Sequence, residues 1–199
     1  MIAVLDYGIG NLRSAEKALQ RVGGDATLTD DLEVVGGADA VVLPGVGAFG
    51  RCMEALRTRG LEEPARAAID AGKPFLGVCI GMQMLYEGSD EDPGVKGMGV
   101  LPGQVRRLPD GVKRPQMQWN VLRDRRVTPM LSGLDEPAWV YFVHSFAPDP
   151  SVDVVATCDY GGPVVAAVQH ENVWATQFHP EKSGEAGLRL LANFVAAST

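Results

Sequence analysis

The first 86 residues alternate between short apolar runs and segments in which apolar residues recur every three or four positions. Runs of the first kind predict buried strands, and the second spacing predicts amphipathic helices. The pattern predicts strands at residues 2–6, 26–29, 40–43 and 74–78, each followed by helical spacing. Strands and helices that alternate in this way form βαβ units with a parallel sheet. This half of the chain therefore predicts an α/β fold.

The second half of the chain has a different pattern. Between residues 97 and 159 turn signals are frequent and helical spacing is rare, while apolar runs at 139–143, 152–157, 164–168 and 173–178 predict strands in hairpins or a mixed sheet. A final helix is expected at residues 184–197. The 199 residues contain no internal repeat and no long polar linker, so we expect one domain over residues 1–199. Its sheet should be mostly parallel and flanked by helices, with an added antiparallel portion.

The composition excludes several classes of protein. With 46% hydrophobic and 22% charged residues the chain is not disordered, and no stretch approaches the ~18 apolar residues of a membrane span. The first residues lack the basic segment and cleavage site of a secretory signal, and the three cysteines form no CxxC pair. We therefore expect a cytoplasmic protein without disulfides, a thiolate zinc site or another metal site. The net charge of −7 disfavours general nucleic-acid binding.

Positive charge is concentrated in one segment of this acidic chain. Residues 95–130 hold eight Lys or Arg and two acidic residues. A run of this kind is usually a solvated, loop-rich face, which is the preferred interpretation. The alternative is a docking surface for an acidic partner or a phosphorylated ligand.

Cys79 lies where the predicted strand at 74–78 meets the next helix, within Gly77-Val78-Cys79-Ile80-Gly81. This is the thiol form of the G-x-S-x-G nucleophile elbow, a tight turn that places the nucleophile above the edge of a sheet. Amides at the start of the following helix favour a thiolate. Buried packing is the alternative for a single cysteine, because cysteine is among the most buried residue types.

His179-Pro180-Glu181 follows the last predicted strand and strengthens the prediction for Cys79. A cysteine nucleophile needs a base that takes and returns a proton, and the base needs a carboxylate to orient it. Glu181, two residues beyond His179, can hold one ring nitrogen so that the other faces the thiol. The sequence therefore predicts a triad of Cys79, His179 and Glu181.

A glycine-rich loop, Gly45-Val46-Gly47-Ala48-Phe49-Gly50, follows the predicted strand at 40–43. It fits G-x-G-x-x-G, but the next clear strand does not end in the acidic residue that a dinucleotide site requires. We expect instead that the backbone amides of Val46, Gly47 and Ile80 form an oxyanion hole, in which one donor is worth ~10²–10³ in rate.

Five segments of the chain together resemble the class I, triad-type glutamine amidotransferases, and more narrowly the glutaminase subunits of imidazole glycerol phosphate synthase in histidine biosynthesis. The segments are Asp6-Tyr7-Gly8-Ile9-Gly10-Asn11-Leu12, Pro44-Gly45-Val46-Gly47-Ala48-Phe49-Gly50, Gly77-Val78-Cys79-Ile80-Gly81-Met82-Gln83, Tyr141-Phe142-Val143-His144-Ser145 and Gln177-Phe178-His179-Pro180-Glu181-Lys182-Ser183. The resemblance covers almost the whole chain and implies a flavodoxin-like sheet with an antiparallel addition. It also implies hydrolysis of glutamine through a cysteine thioester, without a cofactor.

The resemblance further implies a partner, a (βα)₈-barrel cyclase subunit that receives the ammonia and forms a heterodimer with this chain. Gly47, Gln83 and Ser145 match the positions that hold glutamine in that family. The matching positions at the contact between the subunits are Trp119, Asn120, Tyr141 and Lys182.

Three positions depart from the usual pattern of that family. Gln116 replaces a histidine, Gln118 replaces a glycine, and Phe146 replaces a tyrosine. If the backbone at position 118 requires a positive φ, a glutamine there is strained. The departures concern the contact with the partner and its coupling to catalysis rather than the triad.

Two other functions compete with a partner-dependent glutaminase. A stand-alone thiol peptidase or hydrolase of similar fold would cleave peptides or γ-glutamyl conjugates without a partner. A catalytically inactive flavodoxin-like nucleotide module would bind without reacting, although the complete Cys–His–Glu set disfavours it.

Overall fold

The first half of the molecule follows the predicted alternation of strands and helices. The computed structural model describes residues 1–10 and 12–198, and Asn11 of the opening motif lies outside the described residues. The elements are β1 (Ile2–Leu5), α1 (Leu12–Arg21), β2 (Ala26–Thr29), α2 (Leu32–Gly37), β3 (Ala40–Gly45), α3 (Phe49–Thr58), α4 (Glu62–Asp70), β4 (Phe75–Cys79) and α5 (Ile80–Met84).

The second half consists mainly of strands and ends in one long helix. Its elements are β5 (Gly88–Ser89), β6 (Gln104–Arg107), β7 (Gln116–Val121), β8 (Trp139–His144), β9 (Phe146–Pro148), β10 (Val154–Asp159), β11 (Pro163–His170), β12 (Val173–Thr176), a 3₁₀ turn (Pro180–Lys182) and α6 (Gly184–Ala197).

Seven strands form the central sheet, in the order β10-β11-β12-β4-β3-β1-β2. The five strands from β12 to β2 are parallel, and β10 and β11 extend that sheet in antiparallel pairing. The expected architecture, a mostly parallel sheet with flanking helices and an antiparallel addition, is confirmed. β4 lies between β3 and β12, so the carboxyl ends of these three strands meet at one edge of the sheet.

The strands at the centre of the sheet are buried along their whole length. β1, β3 and β4 expose none of their residues, which explains why they read as continuous apolar runs rather than as an alternation. α1 presents Leu12, Ala15 and Leu19 to the core at helical spacing. Among the described residues, none of the helices is both long and apolar enough to cross a membrane.

The strands that the sequence pattern did not predict, β5, β6, β7 and β9, lie in two smaller sheets, one of which also contains the predicted strand β8. β5, β6 and β9 form one, and β7 pairs with β8 in the other. β7 alternates Gln116, Gln118 and Asn120 with larger apolar residues, so it has no continuous apolar run. Its hydrogen-bond partner β8 lies about twenty residues further along the chain, and this non-local pairing leaves little local signal.

Three of the eight basic residues in the segment 95–130 form ion pairs with carboxylates. Arg106 lies between Asp90 and Asp149, Arg114 contacts Asp110, and Arg125 contacts Glu136. These ion pairs agree with a solvated, loop-rich face.

Candidate active site

Cys79 is the last residue of β4, at the carboxyl edge of the central sheet. Its φ of 56° and ψ of −108° lie outside the regions that residues with a side chain usually adopt. α5 begins at the next residue and is only five residues long. This sharp turn from strand to helix is the elbow that the sequence predicted, and it directs the side chain of Cys79 away from the strand direction.

Glycine is required beside the elbow because α5 packs directly on the neighbouring strand. A Cβ atom on Gly81 would lie 1.8 Å from the carbonyl oxygen of Leu43 in β3. A Cβ atom on Gly77 would lie 3.0 Å from the backbone of Gly81 and Met82. Close approach of the two backbones thus fixes the position of α5, and with it the position of Cys79.

His179 follows β12, which is the neighbour of β4 in the sheet. Its Nδ1 atom lies 2.7 Å from Oε1 of Glu181, and its backbone N–H donates to the carbonyl of Tyr141 at 3.0 Å. The side chain is almost fully buried, and Nε2 has no hydrogen-bond partner among the described residues. Glu181 therefore holds one nitrogen of the ring, while the other has no such carboxylate and the side chain of Cys79 is close to the ring.

The environment of His179 favours the protonated ring. Burial is the largest single influence and lowers the pKa of His179. The adjacent side chains of Cys79 and Glu181 raise the pKa and together outweigh burial, so the pKa of His179 is about 9. An imidazolium next to a cysteine sulfur can stabilise a thiolate and can give a proton to a leaving group.

A cavity of about 230 Å³ opens over Cys79 and His179. Seven of the residues predicted to act on or bind the substrate lie on its wall, namely Val46, Gly47, Cys79, Ile80, Gln83, Ser145 and His179. Gly45 pairs with Cys79 across β3 and β4, so the glycine loop that follows β3 reaches the same edge as the elbow. Gly47 has a φ of 113°, which favours glycine at this position.

Gln83 lines this cavity and has an unpaired side-chain oxygen among the described residues. Its Nε2 atom donates to the carbonyl of Phe146 and to Oε1 of Gln177, both at 3.0 Å. Its Oε1 atom is buried and has no hydrogen-bond partner among the described residues. A buried acceptor without a partner is costly, so this oxygen is a candidate acceptor for a ligand donor in the adjacent cavity.

Glu91 also lines the cavity, and the sequence analysis did not find it. The residue follows β5, and its Oε2 accepts a hydrogen bond of 2.8 Å from the backbone N–H of Phe49 at the start of α3. The adjacent Asp92 accepts in the same way from Gly50. These contacts join segments 42 residues apart, so no local motif marks Glu91 as a site residue.

The predicted partner residues lie away from the cavity, on the β7–β8 sheet and the adjoining 3₁₀ turn. Trp119 and Tyr141 are directly opposite each other on one face, with their ring centroids 6.1 Å apart. Lys182 is exposed on the 3₁₀ turn. Asn120 is on the opposite face of β7, where its side chain donates to the carbonyl of Asp159.

The face that carries Trp119 is apolar and exposed to an unusual extent. Met117, Trp119 and Trp139 expose 61%, 48% and 51% of their surface. The register places Val121, Tyr141 and Val143 on the same face. We call these six residues the aromatic face. A hollow of about 730 Å³, larger than the cavity at Cys79, opens beside Trp119 and Trp139.

Of the unusual residues on these strands, Gln116 lies in the interior of the protein and Gln118 is exposed. Gln116 is fully buried between His144, at 2.9 Å, and Cys158, at 3.8 Å. Burial lowers the pKa of His144 to about 4, and this neutral ring lies 2.9 Å from the carbonyl of Phe146 that also holds Gln83. Gln118 is an ordinary strand residue without a positive φ, so the strain considered for it does not arise.

Comparisons with known proteins agree with this architecture. The profile of the class-I glutamine amidotransferases matches residues 3–197 of the chain. Imidazole glycerol phosphate synthase subunit HisH of Methanothermobacter thermautotrophicus is 51% identical over 196 residues, which cover 98% of each chain. The subunit of the same name from Syntrophotalea carbinolica is 47% identical and also covers 98% of each chain.

Solved structures show the same fold at lower sequence identity. A crystal structure of a glutamine amidotransferase has a TM-score of 0.77 and 24% identity, and it covers 98% of both chains. The structure of PurLQS from Thermotoga maritima has a TM-score of 0.74 and 23% identity, covering 98% of this chain and 97% of that one. Since the family profile spans nearly the whole chain and the curated relatives share about half of its residues, this protein belongs to the class-I glutamine amidotransferases and, within them, to the HisH subunits of imidazole glycerol phosphate synthase.

Proposed function

We propose that this protein hydrolyses L-glutamine to L-glutamate and ammonia with Cys79 as nucleophile. The thiolate of Cys79 adds to the side-chain amide carbon of glutamine, and the carbonyl electron pair moves onto oxygen. When the oxyanion collapses the C–N bond breaks, and protonated His179 gives its Nε2 proton to the departing nitrogen, which leaves as ammonia. The product on the protein is a γ-glutamyl thioester.

His179 then acts in the opposite direction. Its neutral ring takes a proton from a water molecule, whose oxygen adds to the thioester carbonyl. The C–S bond breaks, glutamate is released, and Cys79 returns to the thiolate. Glu181 keeps the ring in the orientation that both steps need, which its contact of 2.7 Å with Nδ1 supports.

The walls of the cavity suit a small amino acid with an amide side chain. Backbone N–H groups of Val46, Gly47 and Ile80 are the proposed donors to the oxyanion, in agreement with their place around Cys79. The unpaired oxygen of Gln83 and the carboxylate of Glu91 are both acceptors, so they suit the ammonium group of glutamine. We include Ser145, which lies on the same wall, among the substrate-binding residues.

We further propose that the ammonia passes to a (βα)₈-barrel cyclase subunit in a heterodimer, where imidazole glycerol phosphate and aminoimidazole carboxamide ribotide are formed. The names of the relatives support a synthase with more than one subunit. The aromatic face supports a stable docking surface, because monomeric proteins seldom expose such a patch without a partner. Trp119, Tyr141 and Lys182 are the proposed contacts, and Asn120 would reach the partner only from the edge of β7.

The position of β8 suggests how the partner affects catalysis. One end of this strand carries Trp139 and Tyr141 of the aromatic face, and the other end carries His144, which lines the cavity. The carbonyl of Tyr141 accepts from the backbone N–H of His179, and its N–H donates to Ser183. A partner that moves β8 would therefore move His179 as well.

Two further properties belong to this proposal. One hydrophobic core runs from β1 to α6, which supports a single domain over residues 1–199. The proposed reaction balances without a metal or a cofactor, and we propose a cytoplasmic location, which a role in histidine biosynthesis supports.

The observation that carries the proposal is that Cys79, His179 and Gln83, whose side-chain oxygen is unpaired among the described residues, line one cavity. The test is Cys79→Ala in the protein reconstituted with a cyclase subunit. We expect loss of glutamate release, while synthesis from added ammonium continues, since the cyclase reaction needs only ammonia. Cys158→Ala makes the same chemical change at a buried cysteine outside the cavity and should retain glutaminase activity.

Several outcomes would contradict the proposal. Unchanged glutamate release by Cys79→Ala would show that Cys79 is not the nucleophile. Efficient cleavage of peptides by the isolated chain would favour a stand-alone thiol hydrolase. Failure of a glutamine analogue to label Cys79, together with no glutaminase activity, would favour a binding module.

A further inference from the structure

Gln177 is a buried glutamine that follows β12, two residues before His179. It has no exposed surface, and its backbone N–H donates to the carbonyl of Ala166 at 2.9 Å. Its side-chain amide contacts two groups of the candidate active site. Oε1 accepts from Nε2 of Gln83 at 3.0 Å, and Nε2 donates to Sγ of Cys79 at 3.8 Å.

The first contact determines which end of the Gln83 amide faces the cavity. Nε2 of Gln83 donates hydrogen bonds to two acceptors, the side-chain oxygen of Gln177 and the carbonyl of Phe146. A rotated Gln83 would place its own oxygen against those acceptors, and that arrangement is repulsive. The oxygen of Gln83 therefore remains on the side away from these acceptors, where it has no hydrogen-bond partner among the described residues, and Gln83 itself lines the cavity.

The second contact follows from the first. Because the oxygen of Gln177 is used by Gln83, its NH₂ group must point the other way, and Cys79 lies there. Both side chains are almost completely shielded from water. A donor aimed at a shielded sulfur favours the negatively charged thiolate over the thiol, because hydrogen bonds to charged groups are the stronger ones.

Resting on the proposed glutaminase function, we propose that Gln177 is a positioning residue that serves the nucleophile and the substrate together. Its N–H group stabilises the thiolate of Cys79, and its oxygen holds Gln83 with an acceptor turned towards the substrate. The side chain thereby links formation of the nucleophile to recognition of a hydrogen-bond donor on glutamine.

The first test measures the thiolate without any glutamine. The full-length chain is treated with iodoacetamide, whose iodide the thiolate displaces, and alkylation of Cys79 is followed by mass spectrometry from pH 5 to pH 10. Gln177→Leu removes the donor at nearly constant size. We expect alkylation at pH 7 to be about tenfold slower, with the pH profile displaced upwards. Urea unfolding of each variant verifies that it is folded.

The second test separates the two contacts in the complex with the cyclase subunit. Gln177→Glu keeps an acceptor for Gln83 but places a carboxylate, when ionised, against Cys79. We expect a lower kcat at pH 8 with unchanged KM, and partial recovery at low pH, where the protonated carboxyl can donate. Gln177→Leu loses both contacts, so its kcat should fall and its KM should rise.

Gln169→Glu provides the matched control, because Gln169 belongs to the adjacent strand β11 and does not line the cavity. It should alkylate and turn over like the parent protein. A parental alkylation profile in Gln177→Leu, or an equal rise of KM in both Gln177 variants, would overturn the inference. If the parent complex hydrolyses no glutamine while Gln177→Leu still slows alkylation, the proposed function fails and the role of Gln177 at the thiolate stands.

Discussion

Replacement of Trp119 by alanine tests the aromatic face most directly. Trp119 exposes 48% of its surface. A tryptophan offers about 250 Å² in total, so about 120 Å² remains for a partner to cover. At roughly 25 cal/mol per Å² this area corresponds to about 3 kcal/mol, or a roughly 100-fold weaker Kd for the cyclase subunit.

The assay is calorimetric titration of the chain with the cyclase subunit, alongside the partner concentration that gives half-maximal glutaminase activity. Trp119 does not line the cavity at Cys79, so activity should return towards the parental value at saturating partner. Leu32→Ala is the matched control, since Leu32 is 46% exposed but lies on α2. A Kd within threefold of the parent in Trp119→Ala would refute the reasoning.

Three other predictions concern protonation, packing and charge. Because the pKa of His179 is raised to about 9, the imidazolium persists through neutral pH, and kcat/KM for glutamine should fall above pH 9 as the general acid is lost; a flat profile to pH 10.5 would contradict this. Gly81→Ala brings a Cβ within 1.8 Å of the Leu43 carbonyl and should lower the free energy of unfolding by about 3 kcal/mol in urea, whereas Gly36→Ala, with open space in α2, should not be destabilising. Lys182→Glu should reduce the stimulation of glutaminase activity by the cyclase subunit, with little change in Tm. Equal stimulation in variant and parent would count against a contact at Lys182.

Four of the five parallel strands, β1, β3, β4 and β12, are fully buried and could be predicted because such strands form continuous apolar runs in the sequence. β7 could not be predicted, because Gln116, Gln118 and Asn120 interrupt its apolar residues and its stability depends on pairing with β8. Where a strand was expected, its bounds differed by at most two residues. β4 ends at Cys79, as the sequence analysis expected of the strand before the elbow.

The candidate site likewise contains residues that the sequence could predict and one that it could not. Cys79 and His179 are marked by short local motifs. Cys79 has a glycine two residues away on each side, as a tight turn after a strand requires, and His179 begins the segment His179-Pro180-Glu181. Glu91 has no such motif, and only the packing of its loop against α3 brings it to the cavity. Neighbouring residues on a strand point to opposite faces of its sheet. The family resemblance assigned both Trp119 and Asn120 to the contact with the partner, but it could not show that their side chains lie on opposite faces.

The backbone at Cys79 has an evolutionary consequence. A non-glycine residue held at a φ of 56° and ψ of −108° costs on the order of 1–3 kcal/mol of folding free energy. Selection for stability alone would replace Cys79 by glycine, which adopts such angles freely. A gene copy released from the need for glutamine hydrolysis should therefore drift towards glycine at this position, and retention of cysteine there is a sign that the chemistry is still under selection.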